Sequence, residues 1–184
     1  MSLTLPPPGV VVVLIVLVLA AAAYDVRYRR IPNWVSVGGA LVGLGLNGFL
    51  YSGIPGLIFA LKGLALGFGV YFLLYALHAM GAGDVKLMGA VGSLVGWENW
   101  FGIFLITAVL GGILALLVII LRKRVKKTFW NVGFILGEMK RGRPAYLDRE
   151  ELDVKSSKSV GLPHGAVIAI GSIFFLAVSA HFVK

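Results

Sequence analysis

The sequence predicts an all-α, polytopic membrane helical bundle of about six transmembrane helices, with a basic cytoplasmic loop before the last helix. Three observations predict it. Of 184 residues, 59% are hydrophobic and only 14% are charged, and the mean hydropathy is +0.93. Soluble domains lie near about 45–50% apolar and about 25% charged, so a chain of this length cannot hide its apolar surface from water. The apolar residues also fall in runs, most of them near the roughly 20 residues that a spanning helix needs. Finally, the positive charges gather on alternate connections. A soluble domain and a disordered chain are therefore excluded. The absence of cysteine excludes disulfides, thiolate metal sites, iron–sulfur clusters and a Cys nucleophile. Three isolated histidines leave little for a histidine metal site, and no cofactor is expected.

The first run, Val10 to Ala23, lies between Pro6-Pro7-Pro8 and Asp25-Val26-Arg27-Tyr28-Arg29-Arg30. A signal peptide carries its positive charge before the run and a small-residue cleavage site after it. The polarity here is reversed, so the run is read as a retained span. Trp34 to Leu50 is the second span, entered through Ile31-Pro32-Asn33, where Pro32 is well placed to start a helix. Gly56 to His78 is the third. The fourth, about Val85 to Val95, is too short to cross alone unless it is tilted, extended at Gly83-Asp84 or set beside a thinned bilayer. Trp100 to Leu121 and Leu162 to Val183 complete the set. The whole chain, 1–184, reads as one integral membrane domain with a cytoplasmic loop at about 122–160.

Six spans put Arg27, Arg29, Arg30, Lys86 and the eleven Lys and Arg residues from Arg122 to Lys158 on one side, with little beyond Lys62 and Lys184 on the other. The positive-inside rule makes the rich side cytoplasmic and leaves both termini outside. The net charge of +9 is then a topology signal and an attraction to anionic inner-leaflet lipids, and no nucleic-acid partner is expected. Phe129 to Leu136, flanked by Lys126, Lys127 and Lys140, resembles a basic amphipathic helix on the interface; a solvated connector is the alternative. The pairs Gly39/Gly43, Gly63/Gly67, Gly92/Gly96 and Gly161/Gly165 fit small-xxx-small helix packing. Gly43 to Gly48 matches GxGxxG, but it lies inside an apolar span and not after a strand, so it does not indicate dinucleotide binding.

Of eight acidic residues, five lie in the polar loop and Glu98 at an outer turn. Asp25 and Asp84 remain, each at the edge of an apolar span. An ionised, unpaired acid at membrane depth costs several kcal/mol, so it is a functional candidate by default. Topology takes both to the cytoplasmic end of the bundle. Two carboxyls within a few ångströms do not both ionise easily and share a proton. One can then take a proton from water while the other donates to a scissile carbonyl. Gly81-Ala82-Gly83 ahead of Asp84 permits close approach of an extended substrate. The plainer alternatives are that Asp25 ends a helix and that Asp84 is an N-cap.

Asp25-Val26-Arg27-Tyr28-Arg29-Arg30-Ile31-Pro32-Asn33 and Gly81-Ala82-Gly83-Asp84-Val85-Lys86-Leu87 resemble the two aspartate blocks of the prepilin peptidase family, the GxGD-type membrane aspartic proteases of type IV pilus and archaeal flagellar systems. Leu162-Pro163-His164-Gly165 resembles the family's C-terminal Pro-Tyr/Phe-Gly block, with His164 at the aromatic position. The resemblance implies Asp25 and Asp84 as the catalytic pair. It implies Arg27, Ile31, Pro32, Asn33, Gly81, Gly83, Lys86, Pro163 and Gly165 as residues shaping the site. It also implies prepilin-like substrates, a leader followed by a first apolar helix, cleaved after a glycine at the cytoplasmic face of a prokaryotic inner membrane. Large members that also methylate the product carry a cysteine-bearing insert between the first two spans. None is present here, so peptidase activity without methyltransferase activity is expected. The size is most like the small members serving Flp-type tight-adherence pili. Lys86 is a candidate to orient a carboxylate or bind a lipid phosphate, and Arg27 to pair with Asp25; His78 is a candidate to tune the Gly-x-Gly-Asp block, the plainer alternative being that it ends a helix. The alternative from another class is a small proton-coupled transporter or channel with the two acids as a relay; a non-enzymatic scaffold of a pilus machine is a third.

Overall fold

The computed structural model describes residues 5–77, 79–123 and 163–182, together with Thr128, Trp130, Gly133, Phe134 and Gly137. Among these residues every regular element is helical. Helix α1 is Pro8–Tyr28. Helix α2 is Asn33–Gly45, continued by a π-helical turn, Leu46–Ser52. Helices α3, α4 and α5 are Gly53–Ala76, Ala82–Leu121 and His164–Phe182. The expected interfacial helix Phe129 to Leu136, apart from Trp130, Gly133 and Phe134, lies outside the described residues, as does His78.

Among the described residues four helical runs are long and apolar enough to cross a membrane: Pro8–Tyr28, Asn33–Ala76, Ala82–Leu121 and His164–His181. The six apolar runs of the sequence thus map onto four continuous runs, and two of these double back. The first reversal is at Gly53, with φ 62° and ψ −140°. A side chain on Gly56 would collide with the carbonyl oxygen of Asn47, whereas nine residues of unbroken helix would separate the two by about 13 Å. The second reversal is at Gly96, with φ 73° and ψ 176°, a region that essentially only glycine occupies. Across it, Trp100 Nε1 donates to Met88 O at 3.1 Å, a pair that a straight helix would hold about 18 Å apart.

The reversal at Gly96 accounts for the short fourth run. Residues 82–95 make an arm of about 21 Å, less than the roughly 30 Å of a hydrocarbon core. The arm is sheathed by its neighbours, with Asp84, Val85 and everything from Leu87 to Val95 buried. Its length is therefore set by protein packing and not by the bilayer. Helix α3 runs antiparallel to it, Gly63 against Gly92 and Gly67 against Met88, the first pair in backbone contact. That closeness is the use made of the small-xxx-small glycines. Helix α2 runs parallel to it, with Asn33 meeting Lys86 at one end and Asn47 meeting Ser93 and Leu94 at the other. The break at Gly96 leaves the last carbonyls of the arm without intrahelical donors. The buried amide of Asn47 donates to Ser93 O and Leu94 O, each at 3.0 Å.

The second arm of α4 carries α5 antiparallel on its flank, Thr107 against Gly171 and Gly102 against Phe175. Helix α1 closes the bundle, with Leu17 against Gly39 of α2 and Asp25 against Gly165 of α5. This alternation brings the end of α1 and the starts of α2, α4 and α5 to one end of the bundle.

Candidate active site

Asp25 lies within the last turn of α1, which continues to Tyr28; it does not itself end the helix. The helix ends at Arg29, left-handed at φ 54°, whose N–H donates to Asp25 O at 2.9 Å. The chain then turns through Ile31 into Pro32, the residue capping α2. The carbonyl of Pro32 accepts from Val35 N at 3.1 Å, opening the new helix.

Asp25 is only 9% exposed, because the start of α5 covers it. The first amides of a helix have no intrahelical acceptor. In α5 the Pro163 carbonyl takes Ala166 N at 3.1 Å, while Gly165 N donates to Asp25 Oδ2 at 2.7 Å. Both the orphan amide and the helix dipole favour an anion at this point. No larger residue fits easily at 165: a Cβ there would lie 3.1 Å from Asp25 Cβ and 3.2 Å from Ile31 Cδ1.

Asp84 is placed by a different helix start. Helix α4 begins at Ala82 with Gly81 as its cap, so Asp84 is the third helical residue and not the N-cap. Its Oδ2 accepts from Gly81 N at 3.2 Å, and its own N–H donates to Gly81 O at 3.1 Å. The acid at the third position thus reaches back to the amide of the cap, while the second bond is the backbone bond of the first turn. Asp84 is also 9% exposed. Each acid is therefore held at a positive helix end, Asp84 by its own helix and Asp25 by α5.

The two carboxyls line one cavity of about 280 Å³ with Arg29, Arg30, Ile31, Gly81, Ala82 and Gly83. A Cβ on Gly83 would press on Ile31 Cβ at 3.2 Å, so the glycine lets α4 approach the turn after α1. Ile31, Gly81 and Gly83, read from the sequence as site-shaping, thus line the cavity itself. Pro32, Pro163 and Gly165 act from behind it, as caps and as the donor to Asp25. Lys86 and Asn33 bond to each other, Nζ to Oδ1 at 2.8 Å, and neither is among the residues lining the cavity. Arg27 is not among the lining residues; its guanidinium lies 5.5 Å from the Tyr28 ring. Arg29 and Arg30 are the arginines among the lining residues.

Two further residues back the site. Tyr71 of α3 is 1% exposed and its ring lies 6.1 Å from that of His164, 6.1 Å from Phe104 and 6.4 Å from Trp100. His164 therefore packs as an aromatic ring would at its position. Within its apolar run Tyr71 carries no signal that separates it from a packing residue. Among the described residues no group of three or more His, Cys, Asp or Glu is gathered that could hold a metal ion.

Fold and site together define a helical membrane protein with two acids facing one cavity at one end of its bundle. The chain belongs to the type IV leader peptidase family, which it matches over residues 12–116. The matched stretch contains both aspartates and ends before α5, so the Gly165 contact to Asp25 comes from outside it. No curated protein and no solved structure matches the chain.

Proposed function

We propose that the chain is a membrane-embedded aspartic endopeptidase that removes the short basic leader of type IV prepilin-like precursors, cleaving after a glycine. The observation that carries this reading is that Asp25 and Asp84, 59 residues apart in the sequence, line one cavity in a member of a leader peptidase family. One carboxyl is ionised and the other protonated. The ionised one takes a proton from water as the water oxygen attacks the scissile carbonyl. The protonated one donates to the carbonyl oxygen. Collapse of the tetrahedral intermediate passes a proton to the departing amine and releases the mature N-terminus. Arg29 and Arg30 on the cavity wall offset charge developing on the carbonyl oxygen. The glycines at 81 and 83 leave room for an extended substrate backbone.

In this reading six helical arms form the membrane bundle, the short first arm of α4 being enclosed by its neighbours and not crossing alone; the acids face the cytoplasm, and both termini lie outside. The whole chain forms one domain. The basic loops sit on anionic lipid headgroups, and the product is not methylated. A proton relay would need acids distributed along the crossing path, and a cavity with both acids at one end favours hydrolysis.

The test is cleavage of a leader-bearing precursor by the purified chain in proteoliposomes, with the product N-terminus read by mass. A mature N-terminus beginning directly after the glycine is expected; an intact precursor overturns the reading. Within the same assay, Gly165→Ala is expected to lower kcat by about 10- to 100-fold by displacing Asp25 a fraction of an ångström. Its unfolding temperature is expected to stay close to that of the unaltered chain, since the crowding is confined to the cavity wall.

A further inference from the structure

A second cavity, of about 330 Å³, opens on the flank of the bundle between α2, α3 and the first arm of α4. Its floor is small and buried: Ser36, Gly89 and Ala90. Its walls are large and half exposed: Val37 (50%), Leu41 (63%) and Phe68 (43%). Ser36 already donates to Asn33 O at 3.3 Å, so the floor asks for no polar partner. One cation, Lys86, stands at the head of this groove. It follows Asp84 by two residues, so the first arm presents the acid to the cavity and the lysine to the groove. Gly89 and Ala90, three and four residues on, continue the lysine's face.

The two spaces adjoin. Ile31 and Asp84 line the cavity, while Ser36 and Lys86 line the groove. Between them the Lys86–Asn33 hydrogen bond, at 2.8 Å, ties α4 to the start of α2. Along the first arm the acid of the cavity and the lysine of the groove are two residues apart, about 3 Å of helix rise.

The geometry points to this groove as the docking surface for the apolar segment that follows the scissile bond of the precursor. The inference rests on the leader-peptidase reading above. Two features favour a helix as the occupant over a lipid chain. A floor of glycine, alanine and serine between bulky walls admits a ridge of side chains and lets a helix backbone come close, which a fluid acyl chain does not require. The groove also begins at the site, where a cleaved polypeptide must continue and a lipid need not. Docking there fixes the register of the scissile bond against Asp25 and Asp84 through the part of the substrate that does not react.

The experiment compares two precursors that share leader and cleavage site, one with its apolar segment and one with that segment made polar. Both are given to the unaltered chain and to Ala40→Phe, which fills the groove from α2. The variant is expected to raise KM for the apolar precursor about tenfold or more while kcat changes little, and to leave the polar precursor within about twofold. An equal rise for both precursors, or no change for the apolar one, overturns the inference; a groove that holds only lipid gives the second result. If Ala40→Phe fails to fold, Val37→Phe at the more exposed wall carries the same comparison. Failure of the unaltered chain to cleave either precursor overturns the peptidase reading instead.

Discussion

Asp25→Asn and Asp84→Asn are each expected to slow leader cleavage by about 10²- to 10⁴-fold, the range lost when a positioned acid or base is removed. The substitution isolates the proton. Asparagine keeps the size of the side chain, and its carbonyl oxygen can still accept from Gly165 N at the Asp25 position or from Gly81 N at the Asp84 position. What it cannot do is take a proton from water or give one to a carbonyl oxygen. The structural cost is small: losing an anion at an α-helix N-terminus forfeits about 0.3–1 kcal/mol at exposed sites and up to about 2 kcal/mol at partly buried ones. Both variants should therefore unfold near the temperature of the unaltered chain. Because the two carboxyls would act on one water and one carbonyl, the double variant should be little slower than the worse single one. Kinetics on refolded and repurified variants, with unfolding followed in parallel, check all three points. Full cleavage by either single variant would remove that residue from the catalytic pair.

The same two residues show what a sequence of this kind reveals. An acid in an apolar chain is conspicuous because its position is costly, so Asp25 and Asp84 could be singled out one by one. The alternating topology took both to the same end of the bundle, and they do line one cavity. The way they are held was not legible. The plainer alternative for Asp25 was that it ends a helix. The helix instead runs on to Tyr28, and the acid is covered by a helix that starts 139 residues later. That contact is made by a backbone N–H, which no side-chain pattern encodes. Arg29 and Arg30 were absorbed by the topology argument, since a positive charge past the end of a span has a sufficient explanation without a cavity. The outer spans were legible from the length of their apolar runs. The short fourth run was legible as short, but its explanation lies in a backbone angle at Gly96. In the sequence that residue reads only as half of a small-xxx-small pair.

Gly96→Val is accordingly expected to have the largest effect on the fold. At φ 73° and ψ 176° a β-branched residue is held in a conformation that costs about 1–3 kcal/mol. The Cβ would also fall on the Phe59 ring, and overpacking adds about 1–3 kcal/mol. The sum, about 2–6 kcal/mol, is a large part of the usual stability of a small domain. The consequence reaches the acids through the first arm. If the reversal opens, the backbone contact between Gly63 and Gly92 and the bonds from Asn47 to Ser93 and Leu94 are strained together, and the arm that positions Asp84 loses its seat against α3. Gly96→Val should therefore lose activity and thermal stability in parallel, whereas Asp84→Asn should lose activity alone. Gly96→Ala should fall between, because alanine meets the same backbone angle without the branch. A valine variant that unfolds at the temperature of the unaltered chain would mean that the arm is held without the reversal, and that its short length needs another cause.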